Sequence, residues 1–145
     1  MPTVRKSAIV PRRCETLFAL VDDVERYPEF LPWCPRTRVL ERDDRVTVAR
    51  IDIDYRGLKS HFVTRNAKHP PGRMTLELVE GPFEKLAGEW TFAPLGDRGC
   101  RAELTLEYEF AGSLLDGVLQ GVFGHIAATL VDGFVQRAAS APEAQ

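Results

Sequence analysis

The side chains that most often bind metals are few in this sequence and are not spaced for that task. Three histidines and three cysteines occur in the 145 residues, without an H-x-x-x-H or a C-x-x-C pair. Cys14, Cys34 and Cys100 are odd in number and far apart, which disfavours a disulfide framework. We therefore expect no metal site and no disulfide, and reduced thiols in a cytosolic compartment fit best.

Motifs for nucleotide binding and for hydrolysis are also absent from the sequence. No serine lies in a G-x-S-x-G elbow, and there is neither a G-x-G-x-x-G nor a Walker-type G-K-[ST]. Two carboxylate pairs remain, Asp22 with Asp23 and Asp52 with Asp54. Asp52 and Asp54 would share one strand face with Arg50, and we interpret both pairs as solvated charges. The sequence predicts a protein that is not an enzyme and needs no cofactor.

The pattern of apolar residues predicts one strand, two short helices, six further strands and a long helix. Residues 3–10 alternate as in a strand. From Cys14 the apolar residues recur at helical spacing until Tyr27 and Pro28 interrupt them, which predicts a bent pair of short helices. From Arg36 onward the period is two, and turn residues divide the segment at positions 43–44, 56–57, 70–72, 81–82 and 96–99.

The longest apolar stretch is predicted to be an amphipathic helix and not a membrane span. It covers residues 114–135 and contains Asp116, Gln120, His125 and Asp132, which would be costly at the centre of a bilayer. The N-terminus has no apolar segment typical of a signal peptide. We therefore expect a cytoplasmic protein, with a peripheral position at the inner membrane as an open alternative.

This order of elements is the helix-grip plan, an α+β fold in which a curved seven-stranded antiparallel sheet grips one long C-terminal helix. Ser113 is expected to cap that helix. Residues 1–145 are enough for a single domain with a real core, and residues 141–145 are expected to be a disordered tail. Because one helix cannot fill the concave face of a curved sheet everywhere, the remaining space predicts a pocket for a hydrophobic ligand.

Small residues form a ridge on the predicted C-terminal helix, away from its apolar side. Gly117, Gly121, Gly124 and Ala128 fall close together on a helical projection. Each glycine lowers helix propensity by nearly 1 kcal/mol relative to alanine. The ridge either tolerates glycine as free surface or packs against a partner, and the oligomeric state stays open.

Charge is distributed unevenly along the chain, although the net charge is only −2. Residues 1–73 carry 15 Lys and Arg against 10 Asp and Glu, whereas residues 74–145 carry 4 against 11. Either solvated strand faces differ in sign, or the first half offers a basic surface to an anionic partner such as RNA. The candidate contacts for such a partner are Arg36, Arg38, Arg42 and Arg45.

Four short segments resemble one known family when taken together. They are Tyr27–Cys34 with the preceding Val21–Val24, the Gly81–Phe92 segment with its G-P-F, L, G, W and F residues, and Tyr108–Phe110 before a Ser-Leu-Leu helix start. This combination is similar to the START-like coenzyme-Q-binding and ribosome-association toxin (RatA) family of the polyketide cyclase/dehydrase and lipid transport superfamily. The resemblance covers residues 3–138.

The resemblance implies a helix-grip fold with a tunnel that accepts a polyprenyl quinone such as ubiquinone. It transfers no catalytic residue. Matching positions, together with the aromatic pattern, give a ligand-binding set in which each member could instead be ordinary core. That set is Phe18, Tyr27, Phe30, Leu31, Trp33, Phe62, Phe83, Leu86, Trp90, Leu119, Phe123 and Ile126.

Three functions follow as hypotheses. The first is a non-enzymatic carrier for ubiquinone or a related isoprenoid lipid that supports respiration, with transient contact to the inner membrane. The second is a toxin-like inhibitor of ribosome association that binds the large ribosomal subunit through the basic first half. The third and weaker one is an aromatase or cyclase of the polyketide type, for which no acid–base pair can be named.

Overall fold

Seven strands and three helical segments make up the described part of the chain. This computed structural model describes residues 3–110 and 116–140, and of residues 116–120 only the backbone. The helices are α1 (Cys14–Asp22), a 3₁₀ helix (Val24–Glu29) and α2 (Asp116–Ser140). The strands are β1 (Thr3–Val10), β2 (Thr37–Arg42), β3 (Val46–Tyr55), β4 (Leu58–His69), β5 (Arg73–Glu80), β6 (Phe83–Leu95) and β7 (Gly99–Phe110).

The strands form one antiparallel sheet in the order β1-β7-β6-β5-β4-β3-β2. Successive strands from β2 to β7 are neighbours, and β1 closes the sheet at the edge of β7. Each predicted break between strands falls at a connection in the structure. The predicted helix-grip fold, with its curved antiparallel sheet and C-terminal helix, is confirmed.

Alternation along the strands produces the inner face, which we define as the face toward α2. On β7 the inward side chains from Ala102 to Phe110 are buried, while the intervening residues are polar and more exposed. Gly88 of β6 is required by the close approach of β7, because a Cβ there would lie 2.2 Å from the carbonyl oxygen of Thr105. The period of two therefore sets which side chains reach the interior.

The second short helix differs from an α-helix. Its six residues form a 3₁₀ helix with Pro28 inside it, as expected where proline removes a backbone donor. The hydroxyl of Tyr27 donates to the carbonyl oxygen of Val21 at the end of α1. The bent helix pair is thus held by a buried hydrogen bond.

The C-terminal half of α2 packs against α1 and β1. Val131, Phe134 and Ala138 are almost completely buried. Arg12, in the β1–α1 connection, donates from Nε and Nη2 to the carbonyl oxygens of Ala138 and Ala139, at 3.0 Å and 2.9 Å. These oxygens belong to the last turn of the helix and have no partner within it. The arginine therefore fixes the end of α2.

Several expectations about the helix concern residues outside the described ones. The predicted cap at Ser113 and the tail 141–145 both lie there. Within the glycine ridge, a Cβ at Gly121 would meet no atom within 4 Å, and one at Gly124 would meet only the Tyr108 hydroxyl at 3.7 Å. Packing of this ridge on a partner stays a prediction. Within the described residues, no helix has the length and apolarity that crossing a bilayer requires.

Candidate functional site

A cavity lies between the inner face of the sheet and α2. Its floor is made of inward side chains from the central strands, among them Ile51, Met74 and Leu104. Four residues of α2 form the roof: Phe123, Ile126, Ala127 and Leu130. The helical segments and the loop after them supply one side through Val21, Val24, Tyr27 and Trp33. The wall is therefore assembled from every part of the helix-grip fold except β1 and β2.

The open space within this wall is about 80 Å³, which is less than the 300–1,000 Å³ of pockets that hold drug-sized ligands. A second, smaller cavity of about 20 Å³ lies beside it, toward Phe83 and Phe110. Phe62, Phe123 and Ile126 line both spaces. Movement of these shared side chains would join the two cavities into one longer site.

Hydrogen-bonding groups in the main cavity are few. Thr64 and Asn66 of β4 are its two plainly polar lining residues, and both are more than nine-tenths buried. The Thr64 hydroxyl donates to Oδ1 of Asn66 at 2.8 Å. Trp33 adds an indole Nε1–H that is buried without a hydrogen-bond partner among the described residues. The wall thus offers donors within an otherwise apolar surface.

The lining residues carry no charge near neutral pH. Tyr27 is their one titratable side chain, and burial, followed by the nearby charge of Asp22, raises its pKa far above the ordinary value. A phenol in that environment stays protonated at physiological pH. The cavity wall is therefore neutral.

A buried ion pair lies farther along the inward face of β4. Nζ of Lys68 is 3.1 Å from Oδ2 of Asp22 at the end of α1, and the Thr47 hydroxyl donates to Oδ1 of the same carboxylate at 2.8 Å. The Lys68 side chain is 5% exposed. This corrects the expectation that Asp22 is a solvated charge, because the fold brings strands β3 and β4 under the end of α1.

Seven of the twelve predicted ligand-binding residues line the main cavity: Tyr27, Trp33, Phe62, Leu86, Trp90, Phe123 and Ile126. Phe83 lines the smaller cavity. The side chain of Leu119 lies outside the described ones. Whether these side chains hold a ligand stays a prediction.

Three members of that set lie away from both walls, which corrects their expected position. Phe18 packs edge-on against Phe92. Phe30 packs on Phe134 with a ring-centroid distance of 5.3 Å. Leu31 is 1% exposed and lies against α2 at Gly133. Phe30 and Leu31 thus pack the helical segments onto the C-terminal half of α2, whereas Phe18 packs α1 onto β6.

The polar lining residues were missed by the sequence interpretation. Thr64 and Asn66 follow Phe62 at intervals of two on β4, so strand alternation could have placed them on the same face. They belong to no motif and interrupt the apolar pattern, so the sequence interpretation did not single them out. The apolar lining residues on β3, β5 and β7 carry the same period-two signal as ordinary core.

The outer face of the sheet contains a second unexpected ion cluster. Asp52 is 6% exposed, which corrects its interpretation as a solvated charge. Nε of Arg36 lies 2.6 Å from Oδ2 and Nε of Arg50 lies 2.8 Å from Oδ1 of this carboxylate. Burial alone would raise the pKa of Asp52, but the hydrogen bonds from Arg50 and Arg36 outweigh it and lower the pKa. The neighbouring Asp54 is exposed.

The four candidate arginines do not form one free basic surface. Arg36 neutralises Asp52, as described above, and Arg42 binds both carboxylate oxygens of Glu25 at 2.6 and 2.8 Å. Hydrogen bonding by Arg42 lowers the pKa of Glu25. Arg38 and Arg45 are exposed and make no side-chain ion pair within the described ranges. Of the four, Arg38 and Arg45 are therefore the two without a carboxylate partner among the described residues.

The main cavity is lined by apolar and neutral polar side chains. No cluster of three or more His, Cys, Asp or Glu side chains able to hold a metal occurs in residues 3–110 and 116–140. The cavity wall contains no carboxylate, imidazole or thiol that could act as a general acid or base. Fold and site together define a helix-grip domain with a neutral internal apolar cavity.

Comparison with known proteins agrees with this class. Residues 10–135 match the family model described as polyketide cyclase / dehydrase and lipid transport, and the chain belongs to that family. The protein named ribosome association toxin RatA of Pseudomonas aeruginosa is 40% identical over 135 residues, 93% of this chain and 94% of that protein. The resemblance noted in the sequence motifs is confirmed.

Two further proteins show how widely this fold is used. The mitochondrial coenzyme Q-binding protein coq10 of Schizosaccharomyces pombe is 27% identical over 139 residues, 92% of this chain and 85% of that protein. The structure of the Zhui aromatase/cyclase from Streptomyces sp. R1128 superimposes with a TM-score of 0.86 at 16% identity, over 95% of this chain and 93% of that one. At that identity the likeness shows the shared fold alone.

Proposed function

We propose that this protein is a non-enzymatic binding protein for a hydrophobic ligand, ubiquinone or a related isoprenoid lipid, which it holds between the sheet and α2. The observation that carries the proposal is the wall of the cavity, which is apolar or aromatic except at Thr64 and Asn66 and holds no charge. Such a wall suits a ligand that gains free energy by leaving water.

The ligand must be admitted by movement of side chains, because the open space is smaller than a quinone. A ligand of about 30 heavy atoms at about 0.3 kcal/mol each gains about 9 kcal/mol, a micromolar to submicromolar affinity. The free energy needed to open the cavity wall reduces this gain. Such an affinity fits a carrier that releases its cargo at the inner membrane. The coenzyme Q-binding relative supports this choice of cargo.

The direct test is mass spectrometry of an organic extract from protein purified without denaturation. We expect a quinone or another isoprenoid at close to one molecule per chain. An extract that contains no lipid above the level from an unrelated protein purified in parallel would contradict the carrier proposal.

The second candidate function is inhibition of ribosome association by binding the large ribosomal subunit in the cytoplasm. It is favoured by the relative with 40% identity that is named a ribosome association toxin. It is also favoured by the exposed Arg38 and Arg45 on and beside β2, which make no side-chain ion pair with any described residue. The two candidates use different faces of the molecule, so one does not exclude the other.

Ribosome binding is tested by sedimentation with purified large subunits over a range of salt concentrations. Phosphate contacts release counterions, so association should weaken steeply with salt. The variant Arg38→Glu/Arg45→Glu should lose association while its free energy of unfolding stays within about 0.5 kcal/mol of wild type. The matched control is Arg98→Glu/Arg101→Glu at the β6–β7 turn. Equal sedimentation of both double variants and the wild type would reject this surface as the contact.

An aromatase or cyclase activity has weaker support. The family and the shared fold include such enzymes, but the main cavity presents no acid–base pair. The hydroxyl of Tyr27 is already donated to the Val21 carbonyl. Incubation with a linear polyketide analogue should therefore leave the rate of cyclisation unchanged.

A further inference from the structure

The inward row of β4 changes in character along its length. Phe62 is apolar, Thr64 and Asn66 are polar and neutral, and Lys68 is charged. The first three line the main cavity, and Lys68 does not. One end of the cavity floor is therefore polar, and the other continues toward the apolar surroundings of Phe83 and Phe110.

The amide of Asn66 is oriented by its neighbour. Because the Thr64 hydroxyl donates to Oδ1 at 2.8 Å, the Nδ2 group with its two N–H donors is left for another partner. No described residue accepts from Nδ2, and Asn66 is 6% exposed. Nδ2 is not among the fully buried side-chain atoms that lack a partner, and Asn66 lines the open cavity. Among the described residues, the Nε1–H of Trp33, on the same cavity wall, is fully buried without an acceptor.

A buried donor without an acceptor is unfavourable, because its hydrogen bonds to water are lost and not replaced. A ligand that places an acceptor oxygen at Asn66 would restore one of these bonds. A ligand without such an oxygen would cover the Asn66 amide and leave its donors unpaired. The cavity therefore distinguishes between ligands of equal apolar area.

The cavity also distinguishes between charged and uncharged ligands. Lys68, the cation that continues the inward row of β4, is already bound to Asp22, whose other oxygen accepts from Thr47. No cation lines the cavity. An ionised carboxylate or phosphate in this place would be buried without a counterion, which is strongly unfavourable.

We propose that the cavity selects ligands with an uncharged head that bears a hydrogen-bond acceptor, such as a quinone or ketone carbonyl, and that the Asn66 amide oriented by Thr64 receives that acceptor. The inference rests on the proposed ligand-binding function and adds the class of head group and its position. The apolar tail would then extend past Phe62 toward Phe83, through the wall that the two cavities share.

The test measures how substitutions at β4 change the affinity for two probes. Decylubiquinone has a carbonyl-bearing ring and a decyl chain, and decylbenzene has a ring and the same chain without oxygen. Quinone affinity is measured by quenching of tryptophan fluorescence, and decylbenzene affinity by competition with the quinone. The comparison is made between variant and wild type for each probe, so that the unequal water solubility of the probes cancels.

Asn66→Leu should weaken decylubiquinone binding about 3- to 10-fold, the effect of one neutral hydrogen bond, and leave decylbenzene binding unchanged or tighter. Thr64→Val should also weaken decylubiquinone binding, because the Asn66 amide is then no longer held in place by the Thr64 hydroxyl. If circular dichroism shows that Asn66→Leu does not fold, Thr64→Val replaces it in the test. Thr75→Val is the matched control, because Thr75 lies on the outer face of β5. It should change neither affinity.

The outcomes separate the two proposals. Equal shifts of both probes in Asn66→Leu and in Thr64→Val, or no shift in either variant, would overturn the head-group inference while ligand binding stands. Binding of ionised myristate more tightly than decylubiquinone would overturn it as well. If the wild type binds neither decyl probe, the ligand-binding function itself fails, and the inference fails with it.

Discussion

The two halves of α2 face different surroundings although one apolar stripe runs through both. Residues 131–138 pack against α1, β1 and the 3₁₀ segment, where Phe134 contacts the rings of Tyr27, Phe30 and Trp90. Residues 123–130 cover the main cavity, with open space beneath Ala127 and Leu130. Residues 131–138 therefore complete the core, whereas residues 123–130 leave open space between the helix and the sheet.

The difference arises from the parts of the fold that lie opposite the helix. Leu31 approaches Gly133 so closely that a Cβ there would lie 2.7 Å from Leu31 Cδ2. Ala127, by contrast, lines the main cavity. The helical repeat of a sequence specifies which face is inward, but the depth of the opposing surface decides whether that face is core or cavity wall.

The largest difference in stability should appear when one large side chain in each half of α2 is replaced by alanine. Phe134→Ala should lower the free energy of unfolding by about 3–5 kcal/mol, because it removes ring contacts in a close-packed region. Leu130→Ala should cost less than about 2 kcal/mol, since its side chain already faces open space. Urea denaturation measures both. Equal losses would mean that both halves are packed alike.

Replacing a buried charge that lies outside both halves of α2 should have an intermediate effect on stability. Asp52→Asn should cost roughly 1–3 kcal/mol at pH 7, because it removes the negative charge and replaces one of the two acceptor oxygens with an NH2 donor that faces an arginine. The folded pKa of Asp52 is lowered, so its contribution is complete above the unfolded carboxylate pKa of about 3.9 and is lost as pH falls through the folded value. The stability difference from wild type should therefore shrink in acid. A difference that is constant from pH 7 to pH 2 would contradict the ion cluster.

The smallest effect comes from two glycines in the same helix. Gly121→Ala should stabilise the protein by about 0.5–1 kcal/mol, because open space surrounds the added methyl group and alanine favours the helix. Gly133→Ala gains the same propensity but must displace Leu31, so we expect a net loss of about 1 kcal/mol. Thermal denaturation of the pair measures the contrast. A stabilised Gly133→Ala would show that the packed half is looser than the geometry indicates.

Strand boundaries and facing were predictable because period-two alternation and turn residues are local signals. The connections at 56–57 and 96–99 illustrate this, and so does the buried face of β7. The core positions of the α2 stripe were equally readable. Local patterns therefore gave the framework that surrounds the cavity.

Contacts between residues far apart in the sequence could not be predicted from local patterns. Asp52 can be buried because Arg36, the residue before β2, reaches it across a pairing that no short motif specifies. Arg42 points to the 3₁₀ helix, whereas Arg38 lies on the outer face of the sheet. The two differ because a register shift between Val39 and Glu41 reverses the alternation of side chains along β2. Thr64 and Asn66 could be assigned to the cavity only once the helix that covers them was known.

The central claim, that the space under residues 123–130 receives a hydrophobic ligand, is tested most directly by fluorescence titration of the wild type with decylubiquinone. The protein has two tryptophans, and both Trp33 and Trp90 line the main cavity. We predict saturable quenching with one site per chain, and a loss of affinity of at least about tenfold in Ala127→Leu, which fills the cavity. A linear, non-saturating response from protein that is folded by circular dichroism would contradict the claim.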